Sequence, residues 1–240
     1  MAILTFVDSY AELNALLCAV FSGAWNTIAQ NAASPATQLY VSLHTADPGD
    51  AGSQNTSEIA YTNYARIGVA RTTSGWTVTE GSGSTFTNAV NAAAIGFAAC
   101  GATGGTAAFW GLGLSSTGAG TLLAHGPLGP TAGPVVPFTC TSASPGVLTV
   151  PGYSATVNDQ VVVYPTPGTE SLPTGLTAGT LYYVGTVSGN TITLSTTASN
   201  ANPVNTSTVG SGVIYKATPL AISSGVTPSV AASAMVLQKG

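Results

Sequence analysis

The sequence predicts a mainly β protein: a β-sandwich or jelly-roll-like domain with an N-terminal helix, and a small all-β domain inserted into it. Three observations carry that prediction. Short runs of alternating apolar residues recur at roughly 10–15-residue spacing, with Gly, Pro, Asn and Asp between them. Only one stretch, near the N-terminus, repeats its apolar residues at helical spacing. The texture of the chain changes near residue 130 and changes back near Leu220.

The helix is expected within residues 8–32. Ser9 is placed as N-cap, with Glu12 three residues on. Leu13, Leu16, Leu17, Val20 and Phe21 then fall on one face, until Gly23 ends or bends the helix. Trp25, Ile28 and Ala29 continue a second short stretch, and Ser34-Pro35 closes the region. The first strand runs from Leu39 to Thr45, with Leu39, Val41 and Leu43 on one side, and Asp47-Pro48-Gly49-Asp50 is a strong turn. Further strands are expected at 64–71, 75–79, within 86–97, at 107–114 and at 122–125. Three Gly-Pro pairs between Gly126 and Pro134 mark a linker, assigned to 131–137.

Beyond the linker, strands at 147–150, 160–164, 181–184 and 191–194 are tightly spaced, and Ser188-Gly189-Asn190 turns the last two into a hairpin. Late strands at 220–222 and 234–237 return to the style of the first half. The expected organisation is therefore a base domain of 1–130 plus 218–240, interrupted by a domain of 138–217.

Composition limits function. Only 5% of the 240 residues are charged, against about 25% in an ordinary domain. With four Lys or Arg and a net charge of −4, no basic patch exists to neutralise phosphates, so nucleic acid is not an expected partner. No apolar run reaches the roughly 18–20 residues of a membrane helix, so no membrane partner is expected. A signal peptide is set aside because no Lys or Arg precedes Leu13–Phe21. Cys18, Cys100 and Cys140 are odd in number and fit no motif spacing, so they read as free buried thiols of a protein made in a reducing cytoplasm. A surface this poor in charge is readily covered by copies of itself. A homo-oligomer is expected, trimer or dimer.

Few residues offer chemistry. His44 lies close in sequence to Asp47 and Asp50, but a metal or general-base reading needs further ligands converging there. The same holds for His125. Asp47, Asp50 and Glu58 share one loop without the spacing of a calcium motif. The glycines at 101–105 and at 111 and 113 lack phosphate-loop and dinucleotide patterns, and read as turns and close strand packing. Arg66 and Arg71 are each expected to have a specific partner, with Glu58 or a neighbouring subunit's carboxylate as options. No catalytic, cofactor-binding or metal-binding residue is assigned and no cofactor is expected. An enzyme is not expected, because a glycan hydrolase needs two carboxylates flanking a cleft and no such pair stands out.

The segment from Leu39 through Leu43-His44-Thr45, Asp47-Pro48-Gly49-Asp50 and Glu58 to Tyr64-Ala65-Arg66 resembles a family of tailed-bacteriophage virion structural proteins, described as head-decoration or tail-fibre-like. Trp76-Thr77-Val78, Gly111-Leu112-Gly113, Gly118 to Gly126 and Leu220 to Val236 are similar to that family as well. Leu172 to Val184 and Gly189 to Ser195 resemble a β-module found inside phage structural proteins, whose pattern holds no catalytic residue. The resemblance implies a virion protein that decorates and cements the capsid exterior, with the major capsid protein and itself as partners. The alternative it implies is a tail-fibre or adsorption protein that binds host glycan, with Tyr153, Tyr164, Tyr182, Tyr183 and Tyr215 as available stacking surfaces.

Overall fold

The structure is a computed structural model that describes residues 13–19, 36–80, 87–129, 136–166 and 171–239. The chain is mainly β and divides into two compact units. One is Met1–Ala132 with Leu220–Gly240, here the parent unit, and the other is Gly133–Pro219. In chain order the strands of the first part are β1 (Gln38–His44), β2 (Ile67–Ala70), β3 (Trp76–Thr79), β4 (Thr87–Asn91), β5 (Ile95–Gly96), β6 (Gly105–Ala107), β7 (Phe109–Gly113) and β8 (Leu122–Pro127). The second unit holds β9 (Val136–Cys140), β10 (Val147–Thr149), β11 (Gln160–Tyr164), β12 (Leu181–Ser188), β13 (Thr191–Ser195) and β14 (Gly210–Ala217). The chain closes with β15 (Leu220–Ile222), β16 (Ser229–Val230) and β17 (Val236–Lys239).

In the parent unit, β1 lies between β2 and β7, and β8 extends the sheet beyond β7. All three pairings are antiparallel. The register sets Val41 opposite Leu112 and Leu43 opposite Trp110, so side-chain alternation directs these four to one face. All are buried, in one core with Leu39, Trp76, Ala89 and Met235. Strands β17, β4 and β3 form a three-stranded sheet, while β15 pairs β6 and β16 pairs β5. These pairings replace the expected jelly roll by one four-stranded, one three-stranded and two two-stranded sheets among the described residues. Asn91 fastens the late strands: its fully buried amide donates to Ala93 and Ala231 carbonyls and accepts from the Met235 N–H.

The expected helix lies mostly outside the described residues, including Ser9, Glu12, Val20 and Phe21. Of its described part, Asn14–Cys18 is one π-helical turn, ended by Ala19 at φ 54. Leu13, Leu17 and Cys18 of this segment are buried in the parent core, and Leu16 packs against it.

The second unit is a closed six-stranded barrel in the order β9-β10-β13-β12-β11-β14 and back to β9, with every pairing antiparallel. Closure leaves no unpaired sheet edge. The interior takes alternate residues: Phe138, Leu148, Val161, Val163, Tyr182, Val184, Ile192, Leu194 and Ile214. A Cβ at Gly212 would stand 2.7 Å from the Phe138 ring, so this glycine makes room for an interior aromatic side chain. β9 and β14, the two strands that close the barrel, are not among the strands expected from the sequence. Pro137 interrupts the apolar run of one, and Gly210 and Gly212 dilute the other.

Candidate functional site

The charged and polar residues of the sequence motif converge on the loop between β1 and β2. After His44 the chain turns at Asp47–Gly49. There the Asp47 carboxylate accepts the Gly49 N–H at 3.0 Å, and Gly49 takes the left-handed φ of 70° that its missing Cβ permits. The loop returns along β1, with Thr45 N–H donating to Ser57 O and Ile59 N–H to Leu43 O.

Arg66 is the hub. Its Nε and Nη2 donate to the two oxygens of Glu58, each at 2.7 Å. Its remaining hydrogens reach the Ser115 carbonyl at 3.0 Å and the Gly118 carbonyl at 2.6 Å. The planar fork of a guanidinium suits this division between a carboxylate and backbone oxygens. Hydrogen bonding to Glu58 raises the Arg66 pKa further. The Tyr64 hydroxyl donates to Glu58 Oε1 at 2.9 Å and accepts the Leu43 N–H at 3.0 Å, and burial pushes its pKa up. The strand expected from Tyr64 starts only at Ile67, because past Val41 the edge of β1 is taken by Ile59, whose N–H donates to Leu43 O. Gln54 adds a second tie. Fully buried, it accepts the Ser115 N–H at 2.8 Å through its side chain, and its backbone N–H donates to Gly120 O at 2.9 Å.

His44 is turned away from Asp47 and Asp50. Its Nδ1 lies 2.8 Å from the Thr56 carbonyl, which can only accept, so Nδ1 carries the proton. Nε2 then accepts the Ser42 hydroxyl at 2.8 Å. Burial lowers the His44 pKa and keeps the ring neutral. A hydroxyl on an imidazole is the geometry of an activated nucleophile. Both residues, however, are fully buried, and the Gly111 backbone covers them so closely that a Cβ there would collide with His44 Nε2.

The histidine that meets the turn carboxylates is His125 on β8, far away in sequence. Its Nδ1 is 2.7 Å from Asp47 Oδ1, and its Nε2 is 3.1 Å from Asp50 Oδ1. The Asp47 carboxylate beside Nδ1, and then that of Asp50, raise the His125 pKa. The sequence offered no signal for this pairing, because His44 stands closer to Asp47 along the chain. Among the described residues, Arg71 meets no carboxylate. It donates to the carbonyls of Leu16, Ala15 and Ala36, where it fastens the helical turn.

The arrangement positions loops. Because Arg66 engages both Glu58 oxygens, Asp47, Asp50 and Glu58 do not converge on a common point, and the described residues hold no cluster of His, Cys, Asp or Glu able to bind a metal. The three cysteines are free and buried. None of the five tyrosines considered for stacking lies in the clamp. A depression of about 350 Å³ on the barrel is lined by Ser142, Ser144, Thr174, Asn205, Thr206 and Ser207, with no charged side chain. No helix of the described residues is long and apolar enough to cross a membrane.

Fold and site together define a β-rich protein in which Arg66, Arg71 and His125 serve internal ties among the described residues. Residues 14–135 match the family described as podophage GP4 fiber I protein gp80. The chain belongs to that family, and is thus a bacteriophage virion structural protein. No curated protein matches it. The clamp residues Glu58, Tyr64 and Arg66, the paired His125 and Asp47, and Gly111 all fall within the matched region.

Proposed function

We propose that the protein is a fibre component of the virion and acts in adsorption to the host surface. The observation that carries this reading is the fibre family matched over residues 14–135. Capsid decoration has less support, because the matched family is a fibre family. The clamp supports a mechanical role: an ion pair and buried hydrogen bonds tie the β1–β2 loop to the β7–β8 loop. The proposed ligand is a neutral host glycan. Hydroxyls and amides without charge line the barrel depression, and such groups suit sugar hydroxyls. Single contacts of this kind are weak, and many copies on one particle strengthen them by avidity. Self-association into a small closed oligomer fits the charge-poor surface.

Localisation of the chain in whole particles tests this. Immunogold labelling or cryo-EM density on fibres supports the proposal, and density spread over the shell overturns it in favour of decoration. Purified protein should also compete with particles for adsorption, and competition should weaken on Asn205→Ala.

A further inference from the structure

We infer that the barrel is a guest module spliced between β8 and β15, two strands that lie against one continuous segment of the parent unit, and that the two units fold and unfold independently. The first observation is that the chain leaves and returns beside one segment of the parent unit. β8 runs antiparallel to β7, with Gly126 opposite Trp110 and Pro127 opposite Phe109. One step on, the Leu128 N–H donates to the Ala108 carbonyl at 2.8 Å. The chain then departs. The residue next to Ala108, Ala107, pairs with Leu220, where the chain returns, and Thr106 and Gly105 pair with Ala221 and Ile222. Residues 128 and 220 thus address consecutive residues of one segment, in the same antiparallel sense. β8 and β15 lie against consecutive stretches of one segment, in two sheets that part at Ala108, whose own N–H turns to the His44 carbonyl. The junction is core: Ala107, Ala108, Leu128 and Ile222 are all buried.

The second observation lies within the barrel. Its first strand pairs with its last, with Val136 opposite Ile214, so the chain enters and leaves the barrel at neighbouring positions. All its edges are paired within the unit, and its interior residues form a core of their own. The third observation is the family match, which ends at residue 135, one residue before β9. The barrel is complete in pairing, and each unit has a hydrophobic core of its own. The inference does not depend on where in the virion the protein sits.

Hydrogen exchange on the full chain tests it. Val163→Asp places a charge in the barrel interior. The expected result is loss of amide protection throughout β9–β14, with the amides of Leu128 and of the β6–β15 pairing protected as in the wild type. The reciprocal change, Val41→Asp, should strip protection from β1, β7 and β8 and leave the barrel protected. Loss of protection in both units from either change overturns the inference. The wild-type chain answers without a variant: in rising denaturant the two sets of amides should open at different midpoints, or with different rates. One shared, fully cooperative opening overturns it.

Discussion

Arg66 grips Glu58 with two parallel hydrogen bonds of 2.7 Å, while the same guanidinium holds the carbonyls of Ser115 and Gly118. One side chain thereby joins the β1–β2 loop to the β7–β8 loop. The Arg66 side chain is only 3% exposed, so its charge depends on this partner.

Removing one partner should therefore cost far more than removing both. Glu58→Ala leaves a buried guanidinium without its counter-charge, at about 3–5 kcal/mol. The double variant Glu58→Leu with Arg66→Met should recover most of that loss. A double-mutant cycle by urea denaturation measures the difference, and equal losses for single and double variants would refute the clamp.

The two histidines should give the protein opposite pH dependences. His125 has a raised folded pKa, so its contribution is full below the unfolded value of about 6.5 and fades as pH rises through the folded value. His44 has a lowered folded pKa. Below about pH 6.5 its unfolded form takes up a proton that the buried ring does not, so stability falls with acid. Denaturation midpoints measured from pH 5 to 9 should show His125→Asn flattening the alkaline side only. An unchanged alkaline slope would contradict the pairing with Asp47.

Gly111 should not tolerate a side chain. A Cβ there would meet His44 Nε2 and come within 2.7 Å of Ser42 Oγ, while one at Gly96 has open space. Gly111→Ala is expected to cost roughly 1–3 kcal/mol from overpacking, whereas Gly96→Ala should be nearly neutral. Thermal denaturation of the two variants compares them directly.

The helical turn should behave as core. Leu17 is fully buried, so Leu17→Ala is expected to lose about 2–5 kcal/mol. A variant of wild-type stability that fails to join particles would point instead to a docking face.

Joining Leu128 to Leu220 through two glycines, with residues 129–219 removed, should yield soluble β-rich protein. Leu128 and Leu220 already sit against adjacent residues, Ala108 and Ala107, so the joint spans little distance. Circular dichroism and a cooperative melt check this; aggregation would argue that the barrel supports the parent.

The sequence by itself determined what depends on near neighbours. Alternation in 39–43 specified β1 and its buried face, Gly189 between two β-rich runs specified a hairpin, and the charge count predicted that each arginine would have a dedicated partner. Glu58 stood among the options for Arg66 because it is only eight residues away. Tertiary structure decided everything that depends on distant pairing. His125 meets Asp47 because β8 is laid beside β7, and no local pattern encodes that neighbour. Strands β9 and β14 exist because each completes the other's ladder, which outweighs their weak propensity. The turn at Asn14–Cys18 is held by the parent core and by Arg71, whose partners are backbone carbonyls that every residue carries and no sequence pattern singles out.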